Sequence, residues 1–214
     1  MSYILQVLPS LLDGAKVTLQ VFCIVIVLSI PFGAVLAFLM QIKFKPLQWL
    51  LTLYVWIMRG TPLLLQLIFF YYVLPSVGVV MDRLPAAILA FTLNYAAYFA
   101  EIFRSGIQSI PVGQHEAAKI LGYSRMQKFL RIITPQMIKR VLPAVTNESI
   151  TLVKDTSLAF AISYIELFTE TQMIAASETS MLPYLAAAIF YYVFNLVVAG
   201  LMSLLEKKLN YYKI

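Results

Sequence analysis

The 214-residue chain is 61% hydrophobic and only 12% charged, with a mean hydropathy of +0.85, whereas a soluble domain carries about 45–50% apolar and about 25% charged residues. That apolar excess excludes a water-soluble fold around one small core and requires lipid to cover part of the chain. The net charge of +6 sits in links around 43–45, 119–140 and 207–213, which differs from the basic face of a nucleic-acid module.

Five apolar stretches follow in chain order, read against a hydrocarbon core of about 30 Å, or about 20 helical residues. The first covers roughly 15–40, the second 46–80, the third 85–106, the fourth about 138–162 and the fifth 181–205. The first fourteen residues hold no Lys or Arg, so no cleavable signal with a basic start is expected. The single Cys23 lies inside an apolar run and implies no disulfide framework. With the N-terminus outside, the cytoplasmic side receives Lys43, Lys45, Arg104, Lys119, Arg125, Lys128, Arg131, Lys139, Arg140, Lys207, Lys208 and Lys213, and the outer side keeps Lys16 and Arg83. The positive-inside rule therefore predicts the N-terminus outside, the C-terminus in the cytoplasm and an odd number of spans. The expected fold class is an all-α membrane protein with about five transmembrane helices.

The second stretch is too long for one upright helix, since thirty-five residues would reach ~50 Å. Arg59-Gly60-Thr61-Pro62 lies in its middle, and a proline there lacks the amide proton a helix interior needs and constrains the residue before it. The spacing predicts an interfacial helix over 46–58, carrying Trp49, Tyr54 and Trp56, and a true span starting near Pro62. One tilted, kinked helix is the alternative. Between the third and fourth spans runs a polar link, about 105–139, with helix-forming Glu116, Ala117, Ala118 and Lys119. A link this long in a compact bundle is usually functional.

In that link Glu116-Ala117-Ala118, three residues, Gly122, nine residues and Ile132-Ile133-Thr134-Pro135 resemble the EAA loop of ABC-importer permeases, with Thr134 replacing the usual Leu. Arg59-Gly60-Thr61-Pro62-Leu63 with Gln66, Ala100-Glu101-Ile102-Phe103-Arg104, Ser109-Ile110-Pro111-Val112-Gly113-Gln114 and Lys154-Asp155-Thr156-Ser157-Leu158 extend the resemblance to the polar amino acid subfamily of histidine, arginine and glutamine type. The resemblance implies a type I importer permease fold, a single transmembrane permease domain over 1–214, and a place in a prokaryotic cell membrane. It also implies partners: a pair of ABC ATPase subunits, a second permease subunit, identical or homologous, and an extracytoplasmic amino-acid-binding protein. ATP and Mg would be bound by the ATPase partners, because the chain has no G-x-x-x-x-G-K-[ST] loop and no cofactor of its own is expected. On this reading the chain is not an enzyme. Coupling to the ATPase is expected at Gly113, Glu116, Ala117, Ala118, Gly122 and Arg125. Gly122 would permit a sharp turn out of the helix and Glu116 would suit its positive end.

Ionisable groups inside spans are costly and point to function. Asn94, Tyr98 and Glu101 form a stripe on the third span, with Asn94 ~13 Å from its outer entry. Glu148, Thr151 and Asp155 share a face of the fourth, with Glu148 ~10 Å and Asp155 ~21 Å from its inner entry. The two stripes are expected to line one water-accessible cavity. Thr156 and Ser157 join them as candidate donors to a substrate carboxylate, and the carboxylates as partners for an ammonium or a cationic side chain. Structural alternatives stand beside this: Lys154 neutralising Asp155, and Glu101 pairing with Arg104. The acidic excess favours a basic amino acid. His115, the only histidine, lacks the companions of a metal site. Glu166, Glu170 and Glu178 fall in the expected outer link 163–180, as solvated charges or contacts for the binding protein. A secondary amino acid transporter or channel acting without an ATPase is the alternative function, disfavoured because no inverted repeat is visible.

Overall fold

The structure, a computed structural model, describes the backbone of residues 2–209 and the burial of side chains over 7–209, and among the described residues it is entirely helical. Lys213, counted above among the cytoplasmic cations, lies outside the described residues. Helix α1 (Ser2–Leu39) carries Pro9 and Pro31 within it. Helices α2 (Lys45–Gly60) and α3 (Leu63–Ile68) follow, and a π turn (Phe69–Val73) and a 3₁₀ turn (Leu74–Val77) extend α3. Helix α4 (Arg83–Gln108) is succeeded by two short helices, α5 (Val112–Ile120) and α6 (Arg125–Lys128). A π turn (Phe129–Ile133) leads into α7 (Thr134–Asp155), which tightens into a 3₁₀ segment (Thr156–Ile162). Helices α8 (Leu167–Glu178) and α9 (Leu182–Leu209) complete the described chain.

Three helices are long and apolar enough to cross a membrane, Val7–Leu39, Arg83–Gln108 and Leu182–Leu209, and the pair Lys45–Gly60 and Leu63–Val77, bent by 106°, makes a fourth if it counts as one span. Five spans were expected against these three or four among the described residues, and the helix that falls short is α7. It packs into the bundle against α4 and α9, but Lys139, Arg140, Glu148, Lys154 and Asp155 dilute its apolar content. Its Val141, Val145, Ser149, Leu152 and Val153 are buried, so protein rather than lipid covers that face. The expected stretch 138–162 is helical throughout, its last seven residues as 3₁₀.

Helix α4 is the axis of the bundle because its small residues let neighbours approach. A Cβ on Gly33 of α1 would stand 2.6 Å from Phe99 Cβ and 2.9 Å from the Ala96 carbonyl. A Cβ on Gly106 of α4 would stand 2.2 Å from Val141 Cγ1 of α7. Small residues bringing backbones together are how helices associate in lipid, where burial of apolar surface alone gives little drive. Exposed apolar side chains such as Val27 and Val35 on α1, and Leu185, Ile189 and Leu196 on α9, form the outer surface.

The break at Thr61-Pro62 lies where the sequence puts it, and the single kinked helix is not seen. The expectation of an interfacial helix over 46–58 needs correction. Val55 of α2 is buried with Leu36, Ala96, Ala97 and Ala100, and Tyr54 donates to the Leu93 carbonyl at 2.7 Å. Helix α2 therefore runs beside the middle of α4. Its outward Trp49 and Trp56 give the aromatic signature that sequence alone reads as a surface helix.

The link 163–180 is also more ordered than a solvated loop. Glu166 is fully buried and caps α8, accepting from the Thr169 amide at 2.9 Å. Its other oxygen accepts from Thr18 of α1 at 3.1 Å and from the Tyr191 hydroxyl of α9 at 2.8 Å. This carboxylate joins three helices and is withdrawn from any external partner.

Candidate functional site

The polar stripes of α4 and α7 meet. Tyr95 of α4 donates its hydroxyl to Asp155 Oδ2 of α7 at 2.7 Å. Half-buried Glu148 lines a cavity of about 480 Å³ together with Arg59, Tyr98, Glu101, Ser109 and Arg140. The walls are the end of α2, the second half of α4 and the first half of α7. Arg59 stacks its guanidinium over the Tyr98 ring at 5.2 Å, a cation–π contact that keeps the charge at the cavity edge, and it forms no ion pair among the described residues. The cavity is lined by two guanidiniums, Arg59 and Arg140, and two carboxylates, Glu148 and the Arg104-paired Glu101, and so offers both signs that a zwitterion needs.

The remaining expected residues divide. Glu101 accepts from Arg104 Nε at 2.9 Å and again from its second guanidinium nitrogen, so the structural alternative holds for it, although it still faces the cavity. Lys154 is exposed and forms no ion pair with Asp155 among the described residues. Thr151 is half-buried on the α7 face between Glu148 and Asp155 and donates to the Asn147 carbonyl at 3.0 Å. Ser157 donates to the Lys154 carbonyl at 2.7 Å. Thr156 is fully buried and donates to the Val153 carbonyl at 2.8 Å, closing the turn from α7 into the 3₁₀ segment.

Asn94 has a structural task that its sequence position does not announce. Its amide nitrogen donates to the Met58 carbonyl at 2.8 Å and to Gln66 Oε1 at 2.9 Å. Gln66 in turn donates to the Met58 carbonyl at 2.9 Å and to Thr61 Oγ1 at 2.7 Å. In an unbroken helix the Met58 carbonyl would accept from residue 62, which is Pro62 and has no N–H. Asn94 and Gln66 supply that missing donor, and Asn94 is almost fully buried. Tyr95, Arg59 and Gln66 are the polar residues sequence reasoning left without roles. Tyr95 lies one turn before Tyr98 on the same stripe, which is the signal that locates it.

At the end of the bundle shared by Leu39, Gln108 and Thr134, α5 and α6 form a helical hairpin. Gly122 has φ of 75°. The Tyr123 amide donates to the Ala118 carbonyl at 3.0 Å and the Gly122 amide to the Lys119 carbonyl at 3.1 Å, the paired closure of a Schellman motif. Ser124 and Gln127 then cap α6 reciprocally at 3.2 and 2.9 Å. Gly113, Glu116, Ala117, Gly122 and Arg125 are exposed, whereas Ala118 is buried against the protein itself. Only Ala117 of the alanine pair is offered outward. Val112, Ile120 and Leu121 are exposed apolar neighbours on a hairpin rich in cations.

The chain matches the profile of the family described as binding-protein-dependent transport system inner membrane component over residues 29–211. It is 37% identical over 192 residues to the L-cystine transport system permease protein TcyB of Bacillus subtilis, covering 87% of this chain and 82% of the relative. It is 35% identical over 207 residues to the arginine transport system permease protein ArtQ of the same organism, covering 95% and 94%. A solved structure described as an amino acid ABC transporter with histidines superposes with a TM-score of 0.89 at 31% identity, covering 96% of this chain and 97% of that one.

Proposed function

The chain belongs to the family of binding-protein-dependent transport system inner membrane components, and from that premise we propose that the cavity between α2, α4 and α7 is its passage for a cationic amino acid. The protein is a permease component of an amino-acid ABC importer in the bacterial inner membrane. Family membership implies ATPase subunits and a substrate-binding protein as partners. The whole of 1–214 is read as one permease domain, with the link 105–139 as its coupling loop, the N-terminus outside and a second permease subunit beside it.

The observation that carries the reading is the meeting of Asp155 and Glu148 on one face of α7 with the tyrosine stripe of α4. Among the described residues no lysine or arginine lies within ion-pair distance of either carboxylate, and such groups are costly in a membrane interior unless a mobile cation completes them. An amino acid's ammonium, or a second positive charge on its side chain, supplies that cation. Arg59 at the cavity edge supplies the partner for the α-carboxylate. Tyr98 and Thr151 line the route between them, with Ser157 near its outer end. Thr156, Asn94 and Gln66 hold the frame.

In this mechanism ATP binding and hydrolysis in the partner ATPases move the hairpin at Gly113, Glu116, Ala117, Ala118, Gly122 and Arg125. The motion passes through the π turn at 129–133 into α7 and alternates the exposure of the cavity. Relatives at similar identity are named for cystine, arginine, glutamine and glutamate/aspartate transport, so identity does not select the substrate, and charge is the discriminating feature. Asp155→Asn and Glu148→Gln are expected to lower arginine-stimulated ATPase activity of the assembled transporter at least tenfold, with basal ATPase hydrolysis retained. Equal stimulation by glutamate and arginine in the unaltered protein would overturn the cationic assignment.

A further inference from the structure

A second cavity, of about 620 Å³, opens at the end of the bundle where α1 and α4 finish, on a different face from the substrate passage. Its floor is apolar: Phe38 and Phe129 meet edge to face at 5.3 Å, and Ile107 and Ile133 are buried beneath them. Its rim is cationic. Lys43 comes from the turn after α1 and Arg125 and Lys128 from α6, with His115 of α5 beside them. No acidic side chain lines it, and neither ion pair found among the described residues, Lys16–Asp13 or Arg104–Glu101, involves these cations.

The position decides what such a cavity takes. Leu39 and Gln108 end two helices apolar enough to span a membrane, so the rim lies at the height where hydrocarbon gives way to headgroups. The fatty floor faces the hydrocarbon side and the cations sit at the water boundary. We propose that this cavity binds the phosphate headgroup of one anionic phospholipid, with an acyl chain laid against Phe38 and Phe129. Basic pockets between spanning helices on the cytoplasmic side recognise anionic headgroups through this combination of charge and depth. The lipid would tie the end of α1 to α6, and so steady the hairpin against the bundle. The proposal needs only that the chain spans a membrane, and stands or fails separately from the choice of amino acid.

Native mass spectrometry of the delipidated, intact transporter tests it, titrated with phosphatidylglycerol, phosphatidylcholine and inorganic phosphate in turn. One phosphatidylglycerol per permease should be retained at concentrations where phosphatidylcholine is not. The double substitution Lys43→Gln with Lys128→Gln should weaken that retention roughly tenfold or more, since each cation at the surface contributes attraction to an anionic headgroup. A control that removes the same charge at the end of α9, Lys207→Gln with Lys208→Gln, should leave it unchanged. Equal retention of the two lipids, equal loss in both double variants, or displacement of the lipid by millimolar phosphate overturns the proposal.

Discussion

Proline at 62 has no amide proton to offer the Met58 carbonyl, and two side chains from elsewhere make up the deficit. Asn94 reaches it from α4 at 2.8 Å and Gln66 from α3 at 2.9 Å. Removing Asn94 leaves Gln66 Oε1 unpaired, a cost of about 1–3 kcal/mol, while the Met58 carbonyl keeps Gln66 as its one donor. Asn94→Leu is therefore expected to lower the thermal unfolding midpoint of the detergent-purified protein, whereas Ser157→Ala, at a half-buried position, should leave it nearly unchanged. Should Asn94→Leu unfold at the unaltered midpoint but lose substrate stimulation, Asn94 is a ligand after all. Much of this was readable beforehand: Pro62 announces the break and the alternation of α4 announces a polar stripe. The pairing was hidden because Asn94 and Met58 are 36 residues apart, and no local pattern encodes such a meeting. Glu166 was misread for the same reason, its partners Thr18 and Tyr191 lying 148 and 25 residues away.

At the scale of helices, close approach is set by glycine where the bundle is tightest. Gly106 leaves no room for a methyl group, since Val141 Cγ1 and Met137 Cγ would stand 2.2 and 2.9 Å from it. Gly106→Ala should destabilise the α4–α7 contact by about 1–3 kcal/mol, the usual cost of overpacking. Val141→Ala alone should also destabilise, through the cavity it leaves. Combined, the two should lose less than the sum, and that coupling, measured by a double-mutant cycle on thermal unfolding, is the signature of direct contact. Strict additivity would mean that α4 and α7 do not cross at this point. Helix α7 also marks where composition misleads: five expected spans become three clear ones and a bent pair, because the helix that carries the site's charges is the one whose hydropathy those charges lower. The extent of α4, expected over 85–106 and seen over Arg83–Gln108, was legible because Pro85 and the polar link after the helix mark its ends.

For the whole molecule, the arrangement of charge is the feature on which coupling depends. Lys43, Arg125, Lys128, Arg140 and Lys207 lie at the end of the bundle where α1, α4 and α9 finish and the α5–α6 hairpin projects, while Lys16 and Arg83 lie at the other. The positive-inside rule predicts that this hairpin lies on the cytoplasmic side, where ATP is available. Cysteine labelling checks this directly in a Cys23→Ser background, because the native thiol is exposed. Lys16 and Lys119 are exposed, and Lys16→Cys and Lys119→Cys keep the cysteines outside the two cavities. A membrane-impermeant maleimide applied to intact cells should modify position 16 and spare position 119, and opening the membrane should expose position 119. The reverse pattern would put Glu116 and Gly122 in the exterior, where no ATPase could reach them, and would leave an importer permease fold with no motor to drive it.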